Sequence, residues 1–360
     1  MSSVWGNHIQ LSLFGESHGK AIGVIMNGLP AGFEINFEQV KREMARRAPG
    51  RNETSTDRKE GDEPEVVSGY FNNKTTGTPL CAMIRNDDTR SEDYNQLKDL
   101  MRPGHADYTG AVKYNGFNDY RGGGHFSGRL TAPLVFAGAV CKQILATRGI
   151  FIGAHIKSIN GIEDTSFDSV HLSKEILENL YKKELPVIEL IKEAEMKHAI
   201  LTAKNNGDSI GGVVECAIIG AEAGVGNPFF DSVESTLAHL IFSIPAVKGI
   251  EFGTGFQLSQ LLGSQTNDAW YYDQDHVKTK TNHNGGILGG ITTGMPIIFS
   301  CAIKPTPSIA KMQQTINLAK QKNDVLAITG RHDPCIVPRA LPVIEAVAAI
   351  GIFDLLQGAK

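Results

Sequence analysis

The chain has 360 residues, 41% of them hydrophobic and 21% charged, which allows a sizeable core and argues against global disorder. The formal net charge of −4 argues against a dedicated nucleic-acid or membrane-surface protein. Five widely spaced cysteines give neither a metal motif nor a disulfide framework. The chain shows no secretory signal pattern and no apolar run of the ~20 residues that span a membrane. We therefore expect a soluble, cytoplasmic protein with reduced thiols and no metal site.

The first part of the chain predicts strands and one helix. Asn36 suits the N-cap of a helix over residues 37–47, whose last turn carries Arg46 and Arg47. Cations there complement the helix dipole, so these arginines have a structural explanation as well as a functional one. Alternating or continuous apolar runs predict strands at 9–14, 21–27, 65–70 and 79–85.

The remainder of the chain also mixes helices with strands. Periodicity predicts helices at 131–148, about 170–184, 186–205, 232–243 with Asp231 as its cap, and about 338–356. Apolar runs predict strands at 151–160, 209–219, 247–252 and 296–303. The turn G-x-x-A-G follows a strand twice, at 28–32 and at 220–224, which is a weak sign of two related halves.

One stretch, residues 102–133, concentrates cations, imidazoles and glycines. Five basic side chains are interspersed with seven glycines in it, namely Arg102, His105, Arg121, His125 and Arg129. Glycine costs conformational entropy on folding, so its density indicates a loop that turns sharply or approaches a ligand closely. Guanidinium, imidazole and backbone N–H groups suit an anion such as a phosphate. The alternative is a glycine-rich surface loop with solvated charges.

Four further segments have a similar character. Residues 15–19 (GESHG) follow a predicted strand and place Ser17 and His18 at its end, although a turn with a solvated histidine would look the same. Residues 282–295 hold five glycines, and residues 304–308 (KPTPS) form a rigid turn that could hold a phosphate or be an ordinary turn. In residues 330–335 (GRHDPC), the aspartate is either an oriented base or part of a structural salt bridge.

Several common sites have no sequence support. The chain has no G-x-G-x-x-G in a strand–turn–helix context, no phosphate loop with G-K-[ST], no G-x-S-x-G elbow and no H-E-x-x-H. From the residues alone, the sequence indicates an enzyme or binder of a phosphorylated small molecule that could also be carboxylated. Histidines and one aspartate are available for proton transfer.

Several long motifs in one order resemble those of chorismate synthases. They cover nearly the whole chain and are FGESHG (14–19), RRAPGR (46–51), RPGHADYTG with RGGGHFSGR (102–129), NHNGGILGGITTGMP, KPTPS and GRHDPC (330–335). The resemblance implies an α+β fold, with residues 1–360 as one domain of helices layered between antiparallel sheets. It also implies a homotetramer, and a pseudo-twofold internal repeat is compatible with it.

The resemblance implies a lyase of the shikimate pathway for aromatic amino acids. The reaction is the anti-1,4-elimination of phosphate from 5-enolpyruvylshikimate 3-phosphate to give chorismate, with reduced FMN and no net redox change. NADPH would serve only indirectly, through an external flavin reductase, since no dinucleotide fingerprint is present. Neither nucleic acid nor membrane is an expected partner. Two rivals stay open: a flavin oxidoreductase acting on a phosphorylated substrate, and a non-catalytic anion-binding protein.

The resemblance also assigns residues. His18 corresponds to the acid beside the leaving phosphate, His105 to the histidine near the flavin N1–O2 edge, and Asp333 to the aspartate that removes the C6 proton with flavin N5. Matches to substrate positions are Ser17, Arg47, Arg102, Arg129 and Arg331. Matches to cofactor positions are Arg47 (for nicotinamide in some members), His125, Phe126, Ser127, Pro245, Ala246, Gly289, Lys304, Pro305, Thr306, Pro307, Ser308 and Arg331.

The chain departs from the family pattern at two places. Where the family commonly shows R-S-S-A-R-E-T, residues 125–131 read HFSGRLT, so that a histidine replaces the arginine at position 125. Pro245 stands where Gln or Asn is frequent, a change that backbone contacts could survive.

Overall fold

The computed structural model describes residues 3–50, 54–55, 61–86, 98–328 and 332–359. Its helices are α1 (Phe37–Arg47), α2 (Asp107–Lys113), α3 (Thr131–Ala146), α4 (Lys174–Tyr181), α5 (Leu190–Asn205), α6 (Val233–Ser243), α7 (Gly263–Thr266) and α8 (Val337–Gly358). Its strands are β1 (Val4–Trp5), β2 (Gln10–Gly15), β3 (Ala21–Asn27), β4 (Pro64–Ser68), β5 (Tyr70–Phe71), β6 (Lys74–Thr75), β7 (Leu80–Arg85), β8 (Phe151–Ile159), β9 (Ile162–Glu163), β10 (Gly212–Ile219), β11 (Val247–Phe252), β12 (Trp270–Asp273), β13 (His276–Thr279), β14 (Ile287–Leu288), β15 (Ile291–Thr292), β16 (Ile297–Ile303), β17 (Gln313–Asn317) and β18 (Lys322–Leu326).

Two five-stranded antiparallel sheets form the outer layers. The strand order is β1-β2-β3-β7-β4 in the first sheet and β9-β8-β10-β16-β11 in the second. In the first, β3 pairs Ile22 with Ile84 of β7. In the second, β10 pairs Cys216 with Phe299 of β16. Four strands of each sheet share both spatial and chain order, since β2-β3-β7-β4 corresponds to β8-β10-β16-β11, whereas the edge strands β1 and β9 do not correspond.

A helical layer lies between the sheets. Helix α3 packs on β3 and β7, helix α8 packs on β8 and β10, and the two helices pack against each other. Gly138 of α3 is at the crossing, where an added Cβ would lie 2.2 Å from Ala346 Cβ. One cluster of buried apolar residues includes members of both sheets and of α1, α3, α6 and α8. The expected α+β arrangement of helices between antiparallel sheets is confirmed.

The apolar character of the central helices follows from this position. By length and composition alone, the helical segments Gly128–Ala146 and Val337–Gly358 could cross a membrane. However, 83% and 94% of their apolar windows are buried inside the protein, as in core helices. Both helices are covered by sheet and helix, so their hydrophobicity is explained by the core.

Several predicted elements match the structure, and some need correction. The helix over 37–47 has the predicted cap, because the Asn36 side chain accepts a hydrogen bond from Gln39 N. The cap of α6 is Ser232 and not Asp231, since the Ser232 hydroxyl accepts from Ser235 N at 3.0 Å. The stretch 102–133 is more ordered than a loop: it contains α2, two 3-10 turns and the beginning of α3.

The hairpins β12–β13 and β17–β18 have no counterpart among the predicted strands. Their sequences are largely polar, and much of their surface is exposed. No buried face produces the period-two apolar pattern on which a strand prediction depends.

Candidate active site

A cavity of about 860 Å³ opens beside the first turns of α3 and α8. This volume is within the range of small-molecule sites. One part of the lining is apolar and includes Leu11, Leu13, Leu134, Ile336 and Val343. The other part is cationic and polar, so the cavity suits a ligand with both a hydrophobic and an anionic portion.

Most of the residues predicted to form the site contribute to this lining. They are Arg47, Arg102, His105, His125, Phe126, Ser127, Arg129, Pro245, Ala246, Lys304, Thr306, Pro307, Ser308 and Asp333. The lining excludes four predicted residues, Ser17, His18, Gly289 and Pro305. Gly289 lies in the turn between β14 and β15. Arg331 lies outside the described residues.

Asp62 joins two of the predicted substrate arginines. Its Oδ2 accepts a hydrogen bond from Arg47 Nη1 at 2.5 Å, and its Oδ1 accepts one from Arg129 Nη1. The Asp62 side chain is fully shielded from solvent. Burial alone raises the pKa of Asp62, but the two guanidiniums outweigh it and hold the pKa below its usual value. Asp62 is thus an ionised carboxylate behind the cavity wall.

The same two arginines are held at further atoms, so their orientation is fixed. Arg47 and Arg129 donate to additional oxygens, namely Thr131 Oγ1 and Gly128 O from Arg47, and Asn86 Oδ1 and Arg85 O from Arg129. A guanidinium held along several edges loses little further entropy when it binds an anion.

His105 and Arg102 share the carboxylate of Asp107. Arg102 donates to both oxygens of Asp107 from Nε and Nη2, each at 2.7 Å. His105 Nδ1 lies 2.7 Å from Asp107 Oδ1. On its other edge, the His105 ring faces Gly123, whose added Cβ would be 3.0 Å from Cε1 and 3.1 Å from Nε2.

Ser17 and His18 lie behind the turn that contains Gly122, Gly123 and Gly124, called the glycine turn below, and they do not line the cavity themselves. Both are buried, and Ser17 Oγ is 3.2 Å from His18 Nδ1 and donates to Arg121 O at 3.2 Å. Gly122, which does line the cavity, separates them from it. A Cβ on Gly122 would be only 2.2 Å from His18 Cε1. The absence of a side chain at Gly122 is what lets the imidazole approach the cavity so closely.

His125, which replaces an arginine of the family pattern, binds the protein through both ring nitrogens. Nδ1 lies 2.8 Å from the carbonyl oxygen of Gly15, and Nε2 lies 2.7 Å from Ser3 Oγ. A carbonyl oxygen only accepts, so Nδ1 carries a proton. The ring therefore fastens the N-terminal segment to the end of β2.

Asp333 is bound to Arg339 in the first turn of α8. Arg339 Nη1 donates to Asp333 Oδ2, and Arg339 Nε donates to the backbone oxygen of Arg47 at 3.0 Å. Burial lowers the pKa of Arg339 from its ordinary value, and Asp333 opposes that effect. Arg339 thus ties the predicted base to a predicted substrate arginine.

The turn 304–308 borders the cavity near Gly104. Lys304 Nζ donates to Gly104 O, so this cation is engaged with the backbone here. Within the described part of the chain, Thr306 Oγ1 and His332 Nε2 are buried polar atoms without a hydrogen-bond partner, and both residues line the cavity. Burial and then Arg102 lower the pKa of His332, which favours the neutral ring. Unpartnered buried polar atoms are the kind that a ligand satisfies.

Asp62, Asp107 and Arg339, which hold the predicted residues in place, were not singled out from the sequence, whereas Gly122 and Gly123 belong to the glycines from which a close approach was predicted. Asp107 lies inside a quoted motif, and its place two residues after His105 was the available signal. Arg339 also had one, because a cation in the first turn of a helix opposes the helix dipole and calls for an acidic partner. No such signal marks Asp62, because it lies in a charged segment whose apolar residues follow no period.

Comparisons with known proteins agree over the whole chain. The family model described as chorismate synthase matches residues 9–356. A chorismate synthase of Dehalococcoides mccartyi is 46% identical over 99% of this chain and 96% of its own length, and one of Thermococcus kodakarensis is 46% identical over 98% and 96%. A solved structure titled "Crystal Structure of Chorismate Synthase" matches with a TM-score of 0.77 at 30% identity, covering 98% of this chain and 93% of its own. The chain therefore belongs to the chorismate synthase family and is an enzyme of the lyase class.

Proposed function

We propose that this chain eliminates phosphate from 5-enolpyruvylshikimate 3-phosphate in the anti-1,4 sense to give chorismate, with reduced FMN and no net redox change. The observation that carries the proposal is the convergence of Arg47, Arg102, Arg129, His105 and Asp333 on one cavity. These residues come from separated parts of the chain, and each type has a task in this elimination.

The arginines bind the substrate in this proposal. The substrate carries a phosphate and two carboxylates, and a guanidinium fork binds such groups bidentately. Asp62 neutralises part of the charge of Arg47 and Arg129, while Asp107 does so for Arg102. The arginines and lysines of the lining still outnumber Asp62, Asp107 and Asp333, so the cavity keeps a cationic excess that attracts the substrate. Its paired arginines are held in fixed positions.

Two proton transfers need two groups. Departure of the phosphate is assisted by an acid, which we assign to His18 behind Gly122, with Ser17 beside it as a substrate contact. Removal of the C6 proton needs a base, which we assign to Asp333. Arg339 holds the Asp333 carboxylate in place, while His105 faces the cavity from a third segment.

The residues fit a flavin mononucleotide. The apolar wall suits a flat ring system, and the unpartnered Thr306 Oγ1 and His332 Nε2 offer polar atoms for it to satisfy. When bound, reduced FMN would supply electron density that assists the breaking of the C–O bond. The residues proposed to hold it are His125, Phe126, Ser127, Pro245, Ala246, Arg331 and the turn 304–308, with Gly289, a match from the resemblance that lies outside the cavity lining of this chain.

We extend the proposal to the oligomeric state of the enzyme, its cellular location and the source of its reduced flavin. We place the enzyme in the cytoplasm as a homotetramer that receives reduced flavin from an external reductase, with NADPH consumed only in that step. Exposed aromatic side chains support an assembly, since Phe230 is 92% exposed and Tyr272 is 80% exposed. Apolar surface of this kind is commonly covered by a partner subunit.

The test is anaerobic turnover of 5-enolpyruvylshikimate 3-phosphate with chemically reduced FMN and no NADPH. We expect equimolar phosphate and chorismate, and the Asp333→Asn variant, which keeps the shape of the carboxylate, should lose orders of magnitude in kcat. In a parallel assay with NADPH added, its stoichiometric consumption for product would favour the oxidoreductase alternative. Tight substrate binding without phosphate release by the wild-type chain would favour a binding protein.

A further inference from the structure

Asp107, the first residue of α2, connects two side chains of the cavity wall. Its Oδ2 accepts hydrogen bonds from the backbone N–H of Arg102 at 3.0 Å and from Arg102 Nε at 2.7 Å. Its Oδ1 accepts from Arg102 Nη2 and contacts His105 Nδ1, both at 2.7 Å. The Asp107 side chain is only 7% exposed, so water competes little for these bonds.

The contacts of Asp107 decide which nitrogen of His105 carries the proton. A carboxylate only accepts, so a proton on Nδ1 makes this 2.7 Å contact with Oδ1 attractive, and a lone pair on Nδ1 makes it repulsive. Arg102 Nη2 also lies near His105 Nδ1, at 3.2 Å, and would favour the opposite tautomer, with a lone pair on Nδ1. The shorter contact, to the carboxylate, determines the tautomer, because a lone pair on Nδ1 so close to an anionic oxygen would be strongly repelled.

The carboxylate of Asp107 is ionised under ordinary conditions. Burial raises its pKa, but the hydrogen bonds from Arg102 and His105 more than offset burial and bring the pKa far below the usual value. The other charged groups near this imidazole are Arg102 and Lys304, whose Nζ binds the oxygen of the preceding residue, Gly104. Asp107 is the anionic group that the structure places against Nδ1.

We propose that Asp107 is a positioning residue that holds the ring proton of His105 on Nδ1 and thereby presents Nε2 to Gly123 and the cavity. The role of His105 in the reaction rests on the proposed function, whereas its tautomer in the ligand-free chain does not. With Nδ1 committed to Asp107, the neutral ring offers a lone pair at Nε2. Once protonated there, the ring becomes a cationic donor whose charge Asp107 stabilises.

Asp107→Asn should reverse the tautomer. In the Oδ2 position, an amide NH₂ group would face two donors of Arg102, its backbone N–H and Nε. In the Oδ1 position, the NH₂ group would face one arginine donor, Arg102 Nη2, and the imidazole of His105. The imidazole nitrogen can change from donor to acceptor, whereas the guanidinium cannot. The amide is therefore expected to point its NH₂ at His105, and the ring proton moves to Nε2.

The readout is the histidine tautomer in the ligand-free, full-length protein. Two-bond proton–nitrogen correlation spectra of histidine-labelled protein distinguish the two neutral forms, and His105→Gln identifies the signal among the 11 histidines. We expect protonated Nδ1 in the wild type and protonated Nε2 in Asp107→Asn. In the turnover assay, we expect kcat of that variant to fall by roughly tenfold or more, as for other groups that orient a functional imidazole.

Asp119→Asn is the matched control. Asp119 accepts from the backbone N–H, Nε and Nη2 of Arg121 in the same pattern, and its described ion pair is with that arginine, whereas Asp107 also makes one with the imidazole of His105. The control should keep the wild-type tautomer of His105. A wild-type ring protonated at Nε2, or an unchanged tautomer in folded Asp107→Asn, would overturn the proposal. The wild-type spectrum alone decides it if that variant does not fold, and an inactive wild type would count against the proposed function only.

Discussion

Gly122 and Gly123 determine how closely the backbone of the glycine turn approaches the imidazole rings of His18 and His105. Gly122 and Gly123 have φ of +58° and +85°, in the left-handed region that favours glycine. A Cβ on Gly122 would overlap the His18 ring, and one on Gly123 would press on the His105 ring. Consecutive residues of one turn thus face the two histidines, and neither has room for a side chain.

We expect Gly122→Ala to damage turnover far more than stability. The left-handed backbone costs about 1 kcal/mol for alanine, which the fold can tolerate. The Cβ would be 2.2 Å from His18 Cε1, so either the ring or the turn must shift. We predict a loss of at least roughly 100-fold in kcat, since small displacements at a reacting group have effects of this size. The measurement is kcat together with the melting temperature.

Gly116→Ala is the control for that variant. Gly116 lies on the same stretch with φ +77°, and nothing lies within 4 Å of its added Cβ. It should show only the cost of the left-handed backbone, about 1 kcal/mol, with near-normal turnover. Equal kcat in the two variants would mean that the Gly122–His18 contact does not matter.

Residue types, more than their partners, were predictable from the sequence. Arginines, histidines and an aspartate in glycine-rich motifs indicate anion binding and proton transfer. Most of the residues named on this basis do line one cavity. The partners are set by the fold: Asp62 is 15 residues from Arg47 but 67 from Arg129, and Arg339 reaches the Arg47 backbone across 292 residues. No local pattern encodes such pairings, because they depend on tertiary geometry.

At the scale of elements, the crossing of α3 and α8 determines the spacing of the helical layer. At Gly138 an added Cβ would be 2.2 Å from Ala346 Cβ and 2.3 Å from its Cα. The helices approach so closely only because one of them lacks a side chain at this point. Both helices also contribute their first turns to the cavity wall, so their spacing affects the site.

Gly138→Ala should destabilise the protein although alanine is the better helix former. The propensity gain is about 1 kcal/mol. Overpacking against the backbone of α8, which cannot rotate away, is expected to cost roughly 1–3 kcal/mol and should win. Thermal or urea unfolding measures the net sign.

Gly351→Ala, on α8 itself, provides the comparison. The nearest atoms to its added Cβ are Leu240 Cδ1 at 3.0 Å and Leu237 Cδ2 at 3.2 Å, which are ends of flexible side chains. We expect this variant to be close to neutral. A Gly138→Ala protein as stable as Gly351→Ala would contradict a tight crossing.

Elements with a buried face could be predicted, and elements without one could not. Helix α1 and strands β3 and β11 were predicted at their observed bounds, the helix because its apolar positions follow the helical period and the strands because short apolar runs end at turn residues. The 3-10 turn Arg121–Phe126 was not, since three successive glycines have no preferred conformation until the histidines and the cavity surround them.

For the molecule as a whole, the strand order of the two sheets suggests a duplicated half. The order β2-β3-β7-β4 matches β8-β10-β16-β11 and makes β3 the counterpart of β10, and each of these central strands is followed by a G-x-x-A-G turn. The glycines of both turns have positive φ. We infer two related halves of one domain from this agreement. The sequence supplied only the turn, because strand order depends on contacts between distant segments.

A buried charge cluster links three helices of the layer and makes stability depend on pH. Glu345 of α8 accepts hydrogen bonds from Arg46 of α1 and from Lys142 of α3, and also from Ala154 N of β8. Burial raises the pKa of Glu345, but Arg46 and Lys142 outweigh it and lower the pKa from 4.5 to about 2. The folded state thus holds the proton less tightly than the unfolded state does.

The sign of the pH dependence follows from that difference. The contribution of Glu345 is fully present above its unfolded pKa and is lost as the pH falls from 4.5 toward about 2. Glu345→Gln removes this contribution and leaves the two buried cations, Arg46 and Lys142, to share the single carboxylate of Glu43. We expect a loss of roughly 3–5 kcal/mol at neutral pH and a smaller further loss on acidification than in the wild type.

Unfolding midpoints measured across the acid range test this expectation, with Glu65→Gln as the control. Glu65 also pairs with an arginine, Arg85, but their side chains are 53% and 66% exposed. Solvent screening limits such a pair to about 0–1 kcal/mol, so the control should follow the wild-type acid profile. If Glu345→Gln has the same acid slope as the wild type, Glu345 is not a source of the acid sensitivity, and other carboxylates with lowered pKa values, Asp62 first, must account for it.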